Sequence, residues 1–196
     1  MAKKVIRRSK GADKWKSKKW YTIIAPKMFD LRELGETPAQ KPKLLEGRVI
    51  EKSLDSLSGQ RKLRHVTLKF KVTNVQELKA HTELVSLEIK QPYISRLVRR
   101  RRSKISTVLK VFTKDGKTVR VTAMAICTVK LKRTKETEIR KLMEESIAQA
   151  ASQQVYDRFM HEAAFSVIAT NLLKQLKDIA KFKRIEIVKA KLLEGK

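Results

Sequence analysis

Between His65 and Thr73 the apolar residues Val66, Leu68, Phe70 and Val72 alternate with His65, Thr67, Lys69, Lys71 and Thr73. A period of two sends successive side chains to opposite faces of a strand. One face suits a core, and the other, carrying Lys69 and Lys71, suits water. Val85, Leu87 and Ile89 repeat the pattern. Ile105 to Lys114 and Lys117 to Lys130 are two β-branched runs joined across Asp115-Gly116, a dipeptide favoured where a hairpin turn needs positive φ. In the second run Val119, Val121, Ala123, Ala125, Cys127 and Val129 make one row, while Met124 and Ile126 lie on the other. That double row predicts a central strand covered on both faces.

Tyr21 to Ala25 reads as a short strand, and the stretch from Pro26 through Gly35, Pro38 and Pro42 reads as loop, because Gly and Pro punctuate regular structure. Gly47 to Leu54 predicts a strand followed by a turn at Ser56 to Gln60. After Pro92 the helical spacing of Ile94, Leu97 and Val98 predicts a helix from Tyr93 to about Lys104, with Arg99, Arg100, Arg101 and Arg102 at its end. Beyond Thr134 the period lengthens. Ile139, Leu142, Met143, Ile147, Ala150 and Ala151 make a helical stripe that Phe159, Met160, Ala163, Val167 and Ile168 continue, with breaks near Ser152 and Ser166. Phe182 to Val188 alternates again at Ile185 and Ile187 and is expected to return to the sheet. The fold class is therefore α+β.

Composition changes the picture through charge. The 196 residues carry 47 Lys and Arg against 20 Asp and Glu, a formal net charge of +27. Such an excess destabilises a compact state by self-repulsion unless a polyanion shares the volume, and a phosphate array can both neutralise it and release counterions. Residues 1–19 hold nine of these cations, including Arg7, Arg8, Lys10, Lys14, Lys16, Lys18 and Lys19, and one acid, Asp13. With almost nothing apolar to pack, this segment is expected to be an extended basic arm that orders on binding. The single Cys127 excludes an intramolecular disulfide framework and points to a reducing compartment. No stretch approaches the roughly 20 apolar residues of a membrane span, so a soluble intracellular protein with no membrane partner is expected.

Catalytic motifs fail on spacing. Gly116-Lys117-Thr118 ends like a P-loop, but Val111 stands where that motif needs glycine. His161-Glu162 begins like a zinc protease motif, yet Phe165 occupies the second ligand position. His65, His81 and Cys127 have no partner at ligand or nucleophile spacing, and an inert buried thiol is expected for Cys127. The acids Glu136, Glu138, Glu144 and Glu145 lie beside Arg140 and Lys141, the pattern of a solvated helix with i, i+4 pairs. No enzyme, metal, cofactor or small-molecule substrate is expected. A metal-dependent nuclease remains the enzymatic rival, and a free-standing nucleic-acid chaperone or architectural protein the binding rival.

Two stretches instead suit RNA. In Lys14-Trp15-Lys16-Ser17-Lys18-Lys19-Trp20-Tyr21 lysines can pair with phosphates while an aromatic ring stacks on an unpaired base. Trp20, opening a strand, is expected in the core; for Trp15 stacking and a bland arm role stand level. The run Arg99 to Arg102, continued by Lys104, is the second. Unit charges ~6 Å apart repel by only about 0.7 kcal/mol in water, so a fold tolerates the run. Consecutive residues point in different directions, which suits a partner offering phosphates on several sides. With Lys69 and Lys71 on the wet face of their strand, these residues are the candidate RNA-binding set.

Trp20-Tyr21, Ala25-Pro26, Met28-Phe29, Arg32 with Gly35, Gly47-Arg48-Val49 with Glu51, Ser53-Leu54 and Leu57, then Asp115-Gly116 and Ile139-Arg140-Lys141 with Met143-Glu144 together resemble the small-subunit ribosomal protein family called S-three-A-e, or S-one-e. The likeness spans nearly the whole chain. It implies a structural, cytoplasmic ribosomal protein on the small-subunit platform, near the 3′ end of the small-subunit rRNA and the mRNA exit. Its partners would be that rRNA, neighbouring platform proteins and mRNA near the exit. The resemblance also implies a β-barrel-like body, so the expected architecture is an antiparallel, partly closed β-barrel with C-terminal α-helices and a basic N-terminal arm. The expected division is an arm at 1–19, an RNA-binding body at 20–133, and C-terminal helices with a final strand at 134–196. The chain ends at Lys196 without the longer extension of eukaryotic members, which predicts the archaeal type.

Overall fold

A computed structural model describes residues 15 and 17–193. Eight strands form one sheet: β1 (Lys19–Ile24), β2 (Glu33–Ala39), β3 (Val49–Ser53), β4 (Val66–Gln76), β5 (Lys79–Ile89), β6 (Lys104–Phe112), β7 (Thr118–Cys127) and β8 (Phe182–Leu193). The path is β2-β1-β5-β8-β7-β6, with β4 also on β5 and β3 on β4. Because β4 pairs along the whole of β5, β1 and β8 share the opposite edge of β5, at Lys79–His81 and Ser86–Glu88 respectively. Only the β1–β5 pairing is parallel among the ladders. The α+β class holds. Where the sequence predicts a partly closed barrel, the ladder is open: no backbone pairing joins β2 to β3, although the Arg48 guanidinium donates to the Thr37 hydroxyl.

The stretch read as loop after Pro26 contains β2. Pro38 and Gly35 sit there because β2 pairs only with β1, and an edge strand tolerates a residue without an N–H. Gly35, at φ 133, lies where the β1–β2 register shifts between Ile23 and Ile24, a conformation that favours glycine. The strand expected to reach Leu54 stops at Ser53, and Leu54 and Leu57 instead drop into the core from a short helix, α1 (Leu54–Ser58), ended by Gly59 in the left-handed region. In β5 a bulge changes parity. Ser86 pairs with Lys69 and Leu84 with Phe70, so Val85 lies outside the ladder and Leu84 fills the core position. The hairpin over Asp115-Gly116 forms as expected, with Gly116 at φ 74 and the Gly116 N–H donating to the Thr113 carbonyl.

The remaining helices are α2 (Gln91–Leu97), α3 (Arg133–Gln153), α4 (Tyr156–Ala164) and α5 (Val167–Leu176). Ile139, Met143, Ile147 and Ala151 form the buried stripe of α3, the element packed on β6. α5 packs on β8 through Ile168, Ala169, Leu172 and Leu176. β8 is longer than the alternation at 182–188 indicates, and it is central, laddered to β7 along Phe182–Leu193. β7 is buried from Ala123 to Cys127, as its double row predicts, although Val129 lies beyond the strand and is exposed. Burial raises the pKa of the Cys127 thiol. Glu136 and Glu144 depart from the solvated-helix expectation: Glu136 accepts the hydroxyl of Ser103, just before β6, and Glu144 that of Thr107 in β6, which ties α3 to that strand.

Tyr156 locks α4 to two distant places. Its hydroxyl donates to the Leu84 carbonyl at 2.5 Å and its N–H to Asp115 Oδ2 at 3.1 Å. Burial raises the phenol pKa, so the donor stays protonated. Tyr156→Phe leaves a buried carbonyl without that donor and is expected to cost about 1–2 kcal/mol, read as a lower urea midpoint at unchanged slope.

Candidate nucleic-acid interface

Arg7, Arg8, Lys10, Lys14 and Lys16 lie outside the described residues. Trp15 is exposed, with Lys18 Nζ 4.3 Å from its ring centroid, a cation–π contact. Lys18 and Lys19 are exposed, Lys19 opening β1. Trp20 corrects its expectation: it is 56% exposed, because Tyr21 and Ile23 take the inward parity of β1 and leave Trp20 on the other side, opposite Pro38 of the edge strand.

The arginine run is not a helix end. α2 stops at Leu97, and Arg99 to Arg102 form an irregular turn into β6, with Arg101 in the left-handed region at φ 61. Both ends of the turn are held. The Val98 N–H donates to the Ile94 carbonyl, while the Ser103 N–H donates to the Val129 carbonyl and the Ser103 carbonyl accepts the N–H of Cys127 at the end of β7. The Ser103 hydroxyl also accepts the Leu131 N–H and donates to Glu136. Arg99, Arg100 and Arg101 face solvent; Arg102 is half-buried, with Nη1 enclosed and lacking a hydrogen-bond acceptor among the described residues. The Ser103 bonds bring this turn beside exposed Lys130, Lys132 and Arg133, the last two at the start of α3. Cations there oppose the helix dipole. Their sequence signal is the basic tract Lys130 to Lys135, which is weaker than four consecutive arginines.

The β-sheet assembles cations that the chain keeps apart. Lys110 pairs with Arg120, Arg120 with Lys191, Lys191 with Ser86, and Ser86 with Lys69. Directly paired residues share a face, with Cβ atoms about 5 Å apart. Lys110, Arg120 and Lys191 are therefore three like charges side by side, all exposed and without an ion pair among the described residues. Lys69 is different: it lies between Glu51 and Glu88, each at 3.8 Å, and Glu88 also takes Lys189 at 3.3 Å. Lys69, Lys71, Lys189 and Lys191 line a cleft of about 500 Å³ floored in part by Val49 and Leu192. Lys104, Ser106, Val108, Lys110 and Phe112 are the outward residues of edge strand β6. Lys104 and Lys110 are six residues apart, about 20 Å along a strand, so this face leads from the arginine turn to the cation row.

No group of three or more His, Cys, Asp or Glu that could hold a metal occurs among the described residues. His161 lies against the Phe29 and Phe165 rings, and Gly116-Lys117-Thr118 belongs to the hairpin. Among the described residues no helix is long and apolar enough to cross a membrane.

The model of the Ribosomal S3Ae family matches residues 6–196. Relatives named small ribosomal subunit protein eS1 include that of Staphylothermus marinus, 38% identical over 92% of this chain and 85% of the relative. That of Sulfurisphaera tokodaii is 37% identical over 93% and 95%, and that of Saccharolobus islandicus is 38% identical over 93% and 88%. This chain belongs to the Ribosomal S3Ae family, which bears out the resemblance read from its motifs.

The paired cations make a prediction about the free protein. Arg120→Gln removes the middle charge and is expected to raise stability by about 0.2–1 kcal/mol at low salt. The gain should vanish in concentrated salt, where the Debye length falls to about 3 Å. Urea unfolding at the two salt concentrations checks it.

Proposed function

We propose that this chain, a structural and non-enzymatic constituent of the small ribosomal subunit by its family, holds small-subunit rRNA on the platform, near the 3′ end of that RNA and the mRNA exit. Its place is the cytoplasmic ribosome, and its neighbours are rRNA and other ribosomal proteins, here taken to be those of the platform. mRNA near the exit is a further partner in this reading. Residues 1–19 serve as the basic arm, 20–133 as the RNA-binding body, and 134–196 as the part that braces it.

The observation that carries the reading is the Lys110–Arg120–Lys191 row. Two unit charges about 5 Å apart repel by roughly 0.8 kcal/mol in water, and folding alone gives no return for placing three together. Edge protection could explain a lysine on β6, but not cations on the interior strands β7 and β8. A phosphate backbone lying across the strands turns that repulsion into attraction and releases counterions. The arginine turn supplies a second contact, in which half-buried Arg102 and exposed Arg99, Arg100 and Arg101 face several directions. The arm cations Arg7, Arg8, Lys10, Lys14, Lys16, Lys18 and Lys19, with Trp15, Lys69, Lys71 and Lys104, complete the proposed RNA-binding set.

Three measurements test this. The tagged chain should co-sediment with small subunits after a high-salt wash; recovery outside subunits would favour a free-standing chaperone instead. Replacing Arg99 to Arg102 with glutamine should leave the fold intact by circular dichroism yet reduce incorporation. Wild-type incorporation by that variant would return the turn to a merely solvated surface. With six to ten phosphates engaged, RNA binding by the free protein should weaken by about a thousandfold or more between low and moderate salt.

A further inference from the structure

Between β3 and β4 the chain makes a 3₁₀ turn at Arg61–Leu63, and the Lys90 N–H donates to the His65 carbonyl, which sets that turn beside the start of α2. The cleft between them, about 340 Å³, is lined by Arg61, Lys62, Arg64, Lys90 and Arg96. No carboxylate lines it, and none of the five cations forms a salt bridge among the described residues. Pro92 and two part-buried rings complete the lining. His65 and Tyr93 stack there, with centroids 3.8 Å apart and planes 18° apart. Burial, the larger effect, lowers the His65 pKa, against the opposing charge of Glu186, which favours the neutral ring in this stack.

We propose that this cleft is a single-nucleotide site for unpaired RNA, in which the base extends the His65–Tyr93 stack and its flanking phosphates engage Arg64, Arg96 and neighbouring cations. The proposal rests on the RNA-binding reading above and adds a place and a chemistry to it. Cations alone would hold any polyanion, including an acidic protein segment. A flat aromatic pair inside a cationic rim selects a partner that carries a planar base beside its charge. The dimensions agree, since the volume falls at the small end of ligand pockets. None of these residues stands out in the sequence: the cations are spread over 61–64 and 90–96, and the rings are 28 positions apart.

The test uses the full chain and a fluorescein-labelled single-stranded oligoribonucleotide, read by anisotropy. Stacking on one aromatic is worth about 1–3 kcal/mol, so Tyr93→Leu should weaken binding by roughly 5- to 150-fold, while Tyr93→Phe keeps wild-type affinity. Arg64→Gln with Arg96→Gln should lower the salt slope by about 0.7 per phosphate lost. An oligonucleotide bearing 5-iodouridine should cross-link to Tyr93 or His65. If Tyr93→Leu unfolds, as circular dichroism would reveal, the arginine variant and the cross-link still decide. Wild-type chain that binds RNA, with unaltered binding by the variants and cross-links confined to other segments, overturns the nucleotide site and leaves the general reading standing. Wild-type chain with no salt-sensitive RNA binding overturns both. Displacement of RNA by oligoglutamate, with Tyr93→Leu as tight as wild type, reassigns the cleft to an acidic peptide and also overturns the proposal.

Discussion

The pairing of β8 with β5 on one side and β7 on the other is the interaction on which the rest of this structure depends. β1 to β5 and the β6–β7 hairpin are each sequence-local assemblies, and β8, drawn from the end of the described chain, is the strand that joins them into one sheet. Ala190 shows how: it pairs with Leu87 and with Val121, and all three are essentially inaccessible to water. A core closed by its last strand has long-range contacts and is expected to form late. α5 packs on the same strand, so helical and sheet layers are fastened at one place.

That pairing also sets the electrostatics. Ala190 points inward, and the alternation of a strand turns Lys189 and Lys191 outward. Lys191 thereby falls between Arg120 and Ser86 in the register, and β8 extends the hairpin pair Lys110–Arg120 into a row of three. Hydrophobic burial on one face holds together charges on the other that would separate if free. Each repulsion is small beside the burial of an aliphatic side chain, about 1.5–3 kcal/mol, which is why the fold can carry the row. Where carboxylates are present they sit to one side: Glu51 and Glu88 flank Lys69 and Lys189, leaving Lys110 and Arg120 uncompensated. The surface is thus graded from a balanced cleft to a bare cationic edge.

A ribosomal protein's task fits a molecule of this kind. Apart from the arm, the proposed contacts lie on β6 to β8, in the turn before β6 and in the cleft beside α2, where backbone hydrogen bonds hold the chain. Such placement keeps cations at fixed separations, so binding RNA need not order them anew, and less conformational entropy opposes association. Among the described residues Arg102 Nη1 is one of three buried side-chain polar atoms without a hydrogen-bond partner, with Asp55 Oδ1 and Gln154 Oε1.

The sequence by itself determined the elements whose signal is local. Alternation located β4 and β7, Asp115-Gly116 located the hairpin, and the helical stripe located α3 to α5, because each pattern reports which side of one segment meets the core. Net charge and short motifs indicated RNA and the family. Tertiary structure decided what depends on neighbours in space. β2 hid among Gly35 and Pro38 since only an edge position tolerates them; Trp20 faced outward because Tyr21 and Ile23 claimed the inward parity; a bulge at Val85 exchanged its place with Leu84; and the arginines left their helix for a turn pinned by Ser103. The cation row and the His65–Tyr93 cleft were invisible for the same reason: strand register and chain crossing bring together residues that periodicity, read one segment at a time, cannot relate.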